Sequence, residues 1–339
     1  MGGDTGGFRS QGLRLARRIA TLSGACSWGC VEAAPVEQDA FEAYQQWLEG
    51  GYAAGMDYLA KYQELRRDPR LLMEDAEAAV IVTLAFSYAP ERERDAGLPM
   101  ISAYAYGKDY HDILRKRILE ALRETDLRGR HLRRLYRICV DTAPVMERYW
   151  AVRSGMAQRC RNGMVSVPGA GPRVFLAEVI VAREALEDWD DLDKETRGVG
   201  IAEAEVCLDC GACVRACPGG ALADGKYGEM DARRCLSYLT IEHRGDWDTA
   251  EGREAMATAA GRNTLYGCDR CVNACPLLAQ ENAALTLPEF AIGERLLNLD
   301  ADEARKLSEE EWRKLTAGSA MRRVKFEGWK RNLSSNFEF

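Results

Sequence analysis

The chain has 339 residues, with 46 Lys+Arg against 53 Asp+Glu, a formal net charge of −7, 47% hydrophobic residues and 12 Cys. It is too apolar to be disordered, and long enough for two domains or one large domain with appendages. No apolar run approaches the roughly 18 residues of a membrane span, and MGGDTGGFRS lacks the apolar region of a secretory signal and carries Gly6 where a myristoylation motif needs Ser or Thr, so a cytoplasmic protein is expected.

Residues 11–66 read as helical, and VEQDAFEAYQQWLEGG has apolar positions at helical spacing and a stop at Gly50-Gly51. The β-branched run AVIVTLAF at 79–86 predicts a buried strand. An amphipathic helix is expected over 109–127 and a strand over 135–140, followed by Asp141-Thr142 and a helix started by Pro144. RVFLAEVIVA at 173–182 is a third strand, preceded by PGAGP at 168–172, which reads as a turn. This alternation predicts an α/β layer of roughly 200 residues. The acidic stretch EDWDDLDKETRG at 187–198 reads as a solvated connection. Beyond the cysteine-rich part, 283–339 looks helical, with a capping-box pattern at Ser308 and Glu311.

Cys26, Cys30, Cys139 and Cys160 are scattered through the first half, while the other eight cysteines lie between Cys207 and Cys275. In a reducing compartment such a set points to metal rather than disulfides. CLDCGACVRACP at 207–218 is the C-x-x-C-x-x-C-x-x-x-C-P run of bacterial 4Fe–4S proteins. CDRCVNACP at 268–276 repeats it without the first cysteine, and Cys235 lies between to supply the missing ligand. In such runs the fourth cysteine serves the other cluster. Cys207, Cys210, Cys213 and Cys275 are therefore expected to hold one cluster, and Cys217, Cys235, Cys268 and Cys271 the other. The alternative, a pair of structural zinc sites, uses separated C-x-x-C knuckles and does not need this spacing. Clusters move single electrons, so the first domain is expected to hold an acceptor. It contains neither G-x-G-x-x-G nor a P-loop, which leaves nicotinamide or nucleotide triphosphate binding without support.

From about residue 50 to 333 the chain resembles the cobalamin-dependent epoxyqueuosine reductases. The resemblance rests on RRDPRLL (66–72), ISAYAYGKDYHDIL (101–114), VDTAPVMERYWA (140–151), VFLAEV (174–179), both cysteine runs, DARRCLSYLTIEHRG (231–245) and the basic RRVKFEGWKRN (322–332). It implies an α+β/α/β fold: a nitroreductase-like cobalamin-binding domain over 1–198, a bacterial-ferredoxin-like domain with two 4Fe–4S clusters over 199–282, and a helical C-terminal segment over 283–339. The implied reaction removes the epoxide oxygen of epoxyqueuosine in a tRNA anticodon loop as water, with two electrons and two protons, giving queuosine. By resemblance the clusters reduce the cobalt of a base-off cobalamin. Asp141 matches the family's proton donor, and burial against the corrin would raise its pKa so that it holds a proton at neutral pH. The other reading of Asp141 is an N-cap for the helix near Pro144. Arg70, Tyr104, Asn162 and Leu176 are the further cofactor-binding candidates. Arg70 pairs either with a corrin side chain or with a surface carboxylate, and Leu176 either touches the corrin or fills core. Tyr104 and Tyr106 otherwise read as one face of a strand, with Asp109 capping the next helix.

The family's segment resembling AGLGWIGKN reads SGMAQRCRN at 154–162 here, with Ala157-Gln158 at the Gly-Trp pair, Cys160 at a glycine and Arg161 at a lysine. This departure puts the shape of the loop in question. For a tRNA partner, RGRHLRRLYR (128–137) and RRVKFEGWKR (322–331) supply positive charge, the latter interleaved with Phe326 and Trp329 as suits single-stranded loops; a solvated basic helix face is the plainer alternative. The chain ends soon after residue 331, so a small tRNA footprint is expected. A monomer, no membrane association and an external one-electron donor such as flavodoxin or ferredoxin complete the picture. The competing functions are a reductive dehalogenase-like cobalamin reductase and a pure electron-transfer protein.

Overall fold

A computed structural model of the chain describes residues 5–95, 97–125, 132–187, 207–222 and 230–334. The 187–198 connection lies almost wholly outside these residues, as does the start of the 128–137 basic stretch.

The central sheet has four strands in the order β1 (Ser27–Glu32), β2 (Ala78–Ser87), β7 (Val174–Ala182) and β4 (Tyr136–Cys139). Every neighbouring pair is antiparallel, with Val82 opposite Val179 and Glu178 opposite both Thr83 and Cys139. This corrects the expected α/β layer to α+β: strands and helices do alternate, but the connections return the chain antiparallel. All of β2 is buried, which its β-branched run allows because both sheet faces are covered. On one face lie the helices Thr5–Ser23 and Tyr110–Thr125; the latter buries Leu114, Ile118, Ala121, Leu122 and Thr125, a stripe at helical spacing. On the other face, Ala85, Ala151, Met156, Val165 and Val174 form a smaller cluster.

The strand β1 lies inside the 11–66 stretch read as helical. SWGCVE is short and interrupted by Gly29, so it gives no strand signal. Gly29 is required by close approach, since a Cβ there would meet the side chains of Ser154 and Thr83. Two more differences concern local turns. The helix expected from Pro144 begins at Glu147, because the chain is still bending through Val145, whose amide bonds to Ala143. Tyr104 and Tyr106 lie in and just after the 3-10 turn Ala103–Ala105, not on a strand face.

The short strand β3 (Met100–Ile101) pairs in parallel with β8 (Thr264–Tyr266), joining the layer to the cysteine-rich part. One apolar core runs from Leu15 through β2 and β7 to Tyr266, Phe290, Trp312 and Trp329. The capping box at Ser308 is present: its amide donates to Glu311 at 2.9 Å and the Glu311 amide donates back to its hydroxyl at 3.3 Å. In the last helix, Lys325–Ser334, Trp329 is 0% exposed and donates from Nε1 to the Ala304 carbonyl at 3.3 Å. That corrects the view of Trp329 as a base-stacking residue. The apolar stripe of an amphipathic helix faces the core, and Trp329 belongs to that stripe. Beside it, Asn332 Nδ2 donates to the carbonyls of Thr240 (2.8 Å) and Leu265 (2.9 Å). Among the described residues no helix is long and apolar enough to cross a membrane.

Trp329→Ala removes the largest buried side chain of this helix and is expected to cost about 3–5 kcal/mol of stability. Chemical denaturation followed by circular dichroism checks it, with Trp329→Phe expected to retain much of the difference.

Candidate functional site

The segment that carries YGKDYH is strung between two distant parts of the chain. The Lys108 amide donates to the Glu289 carbonyl at 2.8 Å and the Asp109 amide to the Gly318 carbonyl at 2.6 Å. Gly107 permits this, because a Cβ there would run into the backbone of Glu289 and Phe290. Asp109 then starts the helix as expected, its Oδ1 accepting from the His111 amide at 3.1 Å. The same oxygen bonds Nδ1 of His111 at 2.7 Å, which turns Nε2 toward Asp141 Oδ2 at 3.0 Å. Behind the imidazole, Tyr110 is sandwiched between His111 (centroids 4.1 Å apart) and Phe175 (4.3 Å, planes within 8°).

Asp141 sits just beyond the end of β4 with φ 53°, in the left-handed region. That conformation is rare for a residue other than glycine and marks a backbone held in place by its surroundings. Here the hold is visible: the Asp141 amide donates to Glu147 Oε1 while its carboxylate is bonded by His111. The surroundings also set the charges. Burial works to raise the Asp141 pKa, but the hydrogen bond and charge of His111, with Tyr110 and Arg323 in support, outweigh it and hold the carboxyl below its usual range. Burial opposes the charge on His111 too, yet bonds to Asp109 and Asp141 push it up to about 9. At neutral pH the proton is therefore on His111 and Asp141 is ionised. The carboxyl has an imidazolium partner that sequence reading did not assign to it; the expected raised pKa rested on a corrin packed against Asp141.

Two further carboxyls stand behind Asp141. Glu147 is raised by burial and then by the Asp141 charge. Glu178, on β7, is 0% exposed and neither of its carboxyl oxygens has a hydrogen-bond partner. Burial, followed by the charges of Glu147 and Asp141, drives its pKa far up, so it is held neutral. A glutamate inside the apolar run VFLAEVIVA was a legible flag for such a group. At the rim, Arg323 makes a two-pronged bond to Glu242 (2.9 and 2.8 Å) and lies 5.7 Å from the ring centre of the exposed Tyr58. Neither Tyr58 nor Arg323 has a sequence signal that places it here.

The other candidates are spread out. Tyr104 lies one ring behind the site, edge-on to Tyr110 at 6.3 Å and donating its hydroxyl to Tyr266 at 3.1 Å. Arg70 makes the surface-carboxylate pair, to Asp68 at 2.8 and 2.6 Å. Leu176 is half-buried and packs on the Ala85–Val174 cluster. Asn162 is buried, with its Oδ1 accepting from the Met164 amide at 3.1 Å.

The eight cysteines fall into two groups by their mutual influence. Besides burial, Cys213 feels Cys207 and Cys275, and Cys275 feels Cys207 and Cys210. Cys235 feels Cys268 and Cys217, and Cys271 feels all three of Cys268, Cys235 and Cys217. Cys207, Cys210, Cys213 and Cys275 also line one cavity, shared with Cys160, Arg161 and Asn162. Among the described residues no group of His, Cys, Asp or Glu converges on the single point that a lone metal ion needs. The second run is anchored to the site: Asp269, between Cys268 and Cys271, accepts from the Ser102 hydroxyl and from the Ala103 amide at 2.7 Å.

The double cysteine run, its second half tied through residues 100–111 to a carboxylate–imidazolium pair, marks an iron–sulfur protein. The family model described as "4Fe-4S double cluster binding domain" matches residues 206–277. The model described as "Epoxyqueuosine reductase QueG, DUF1730" matches residues 66–142. The epoxyqueuosine reductase of Pseudomonas aeruginosa is 32% identical over 330 residues, covering 95% of this chain and 84% of the relative. That of Cyclobacterium marinum is 30% identical over 331 residues, covering 94% and 95%. A crystal structure of an epoxyqueuosine reductase with an epoxyqueuosine-modified tRNA-Tyr stem loop superposes with a TM-score of 0.73 at 25% identity, over 95% of this chain and 80% of that one. The chain belongs to the epoxyqueuosine reductase family, and it carries the double-cluster 4Fe–4S domain.

A His111 pKa of about 9 against an ordinary 6.5 means that the ion pair stabilises the fold fully below about 6.5, a contribution lost as pH rises through about 9. Carbon-13 NMR of histidine-labelled, oxidised protein is expected to show one histidine titrating near 9, moving down in Asp141→Asn. A His111 midpoint near 6.5 in the unaltered chain refutes the pairing.

Proposed function

We propose that the chain reduces the epoxide of epoxyqueuosine in a tRNA anticodon loop to the alkene of queuosine, releasing the oxygen as water. The observation that carries this reading is the Asp141–His111 pair, standing in a chain of this family beside the double-cluster domain. The reaction takes two electrons and two protons. The electrons arrive singly, through clusters held by Cys207, Cys210, Cys213 and Cys275 and by Cys217, Cys235, Cys268 and Cys271.

The cofactor in this reading is base-off cobalamin, bound by a nitroreductase-like layer formed by residues 1–198, with 199–282 as the ferredoxin-like part and 283–339 as a helical strap. Arg70, Tyr104, Asp141, Asn162 and Leu176 are the proposed contacts. A corrin would need apolar contact with polar groups at its edge. Leu176 packs with Ala85, Val165 and Val174, and the adjacent Ser166 hydroxyl is buried without a hydrogen-bond partner. When bound, cobalamin would supply the two-electron reductant that single-electron clusters cannot.

The chain's own residues handle the protons. His111 carries one on Nε2 at neutral pH, aimed at Asp141 Oδ2. Asp141 passes it to the oxygen as the C–O bond opens; His111 keeps its Nδ1 proton on Asp109 and takes a new one from solvent at Nε2, which recharges Asp141 for the second proton. Glu147, bonded to the Asp141 amide, keeps the carboxylate turned outward. The anticodon stem-loop would meet the rim at Tyr58, Arg322 and Arg323, all exposed. An external flavodoxin- or ferredoxin-like donor, a monomeric state and a cytoplasmic location complete the proposal.

The test is anaerobic conversion of a synthetic anticodon stem-loop carrying epoxyqueuosine, followed by mass spectrometry. Asp141→Asn is expected to slow turnover by about 10²–10⁴-fold while iron, sulfide and corrinoid contents stay level with the unaltered protein. Turnover of Asp141→Asn near that of the unaltered chain would sink the proton-donor role; a corrinoid-loaded protein that leaves the stem-loop untouched would sink the substrate.

A further inference from the structure

The first cysteine run is held partly by a turn from the other half of the molecule. Strand β5 (Gln158–Arg159) pairs with β6 (Val165–Ser166), and between them the Gly163 amide closes a turn on the Cys160 carbonyl at 3.0 Å. Asn162 braces the turn from within through Met164, and Arg148 Nη1 donates to the Gly163 carbonyl at 2.6 Å. This turn faces the cavity that Cys207, Cys210, Cys213 and Cys275 line. The main-chain N–H of Arg161 donates to Sγ of Cys207 at 3.4 Å. The guanidinium of the same residue pairs with Asp209 at 2.5 Å, fastening the turn to the run a second time. The buried side chain of Cys160, 2% exposed, fills the wall beside them.

An N–H bond to a ligand sulfur stabilises the more negative, reduced form of a cluster, and such bonds are among the levers that set its potential. The second cysteine group receives donors from its own part of the chain, namely the Ala221 amide to Cys217 at 3.2 Å and the Arg270 guanidinium to Cys268 at 3.6 Å. For Cys207 the amide comes from residue 161, across the gap between the two halves.

We propose that the 160–163 turn is a potential-setting element: through the Arg161 amide it raises the reduction potential of the cluster held by Cys207, Cys210, Cys213 and Cys275. The inference rests on the two-cluster reading above and assigns a role to a segment in which this chain departs from the pattern of its family. Arg161 acts through Cys207 and is a positioning residue.

The turn itself supplies a clean test. Arg161 and Asn162 both have negative φ, which makes the turn type I, and the first central position of a type I turn favours proline. Arg161→Pro therefore keeps the turn and deletes the N–H, whereas Arg161→Gln keeps the N–H and loses the Asp209 pair. In redox titrations of the anaerobic holoprotein followed by electron paramagnetic resonance, Arg161→Pro is expected to shift one cluster midpoint to more negative potential and leave the other in place. Arg161→Gln is expected to leave both near those of the unaltered chain. If the proline variant fails to assemble clusters, pulsed resonance on nitrogen-15 arginine-labelled protein decides: a nitrogen coupling to one reduced cluster must be present and must vanish in labelled Arg161→Gln. Two clusters whose midpoints do not move, or move together, or no such coupling, would overturn the inference alone. An unaltered protein with fewer than two clusters would overturn the reading beneath it as well.

Discussion

The pairing of β3 with β8 is what lets the rest of the molecule work as one unit. It is a short contact, but the residues on either side of it lock both halves. Asp269, inside the second cysteine run, takes the Ser102 hydroxyl and the Ala103 amide. Tyr266, at the end of β8, takes the Tyr104 hydroxyl and gives its own to the Ala320 carbonyl at 2.8 Å. From there the chain reaches His111 through the stacked Tyr110. The 100–111 segment thus begins at the ligands expected for one cluster and ends at the acid–base pair. A half-buried polar network of this kind fixes relative position more strictly than apolar packing, because its bonds are directional and breaking one leaves a polar group poorly solvated.

The same segment explains why Asp141 is so tightly specified. A left-handed aspartate after a strand would normally relax. Here three groups oppose relaxation: Glu147 holds the amide, His111 holds the carboxylate, and Tyr110 packs against the imidazole. The carboxyls cannot all ionise so close together; burial opposes the charge on each, and the imidazolium decides which one keeps it. Glu178 and Glu147 are pushed up, and Asp141, the one with a cationic partner, is pushed down. A charge pattern of this kind, with pKa values driven apart among neighbouring acids, is how a site assigns distinct proton roles to similar groups.

What the sequence revealed depended on whether the signal was local. The eight cysteines and the Ser308–Glu311 box are patterns in short stretches of sequence, and the double-cluster family model matches the residues that carry the cysteines. Strand extents were also legible, because β-branched runs such as 79–86 have few other uses. Strand direction was not, since an antiparallel return across more than fifty residues leaves no mark in the strands themselves. His111 could not be assigned its Asp141 partner, because the residues lie thirty apart and meet only through the fold. Trp329 misled for the opposite reason. Basic and aromatic residues alternate on the outside of an RNA-binding helix and also on a helix with one buried face, and only packing separates the two.

Part of the charge of the basic tail is spent within the molecule. Arg331 donates to the carbonyls of Leu239, His243 and Gly245, Lys330 to that of Arg305, and Arg323 is bound to Glu242. Arg331 caps carbonyls of the cysteine-rich part, Lys330 a carbonyl of the helix Ala301–Lys306, and Arg323 is held by a carboxylate. Placing them there has a consequence for the site: Arg323 lends its charge to Asp141 and Tyr58 while Glu242 keeps it from swinging away. A cation fixed at the rim draws a phosphate backbone toward the site, and because it is held on both sides it also sets where that backbone stops. In the proposed reaction the electrons would come from the cysteine side and the protons from the Asp109–His111 side, and the fixed rim would define the place where a substrate meets both.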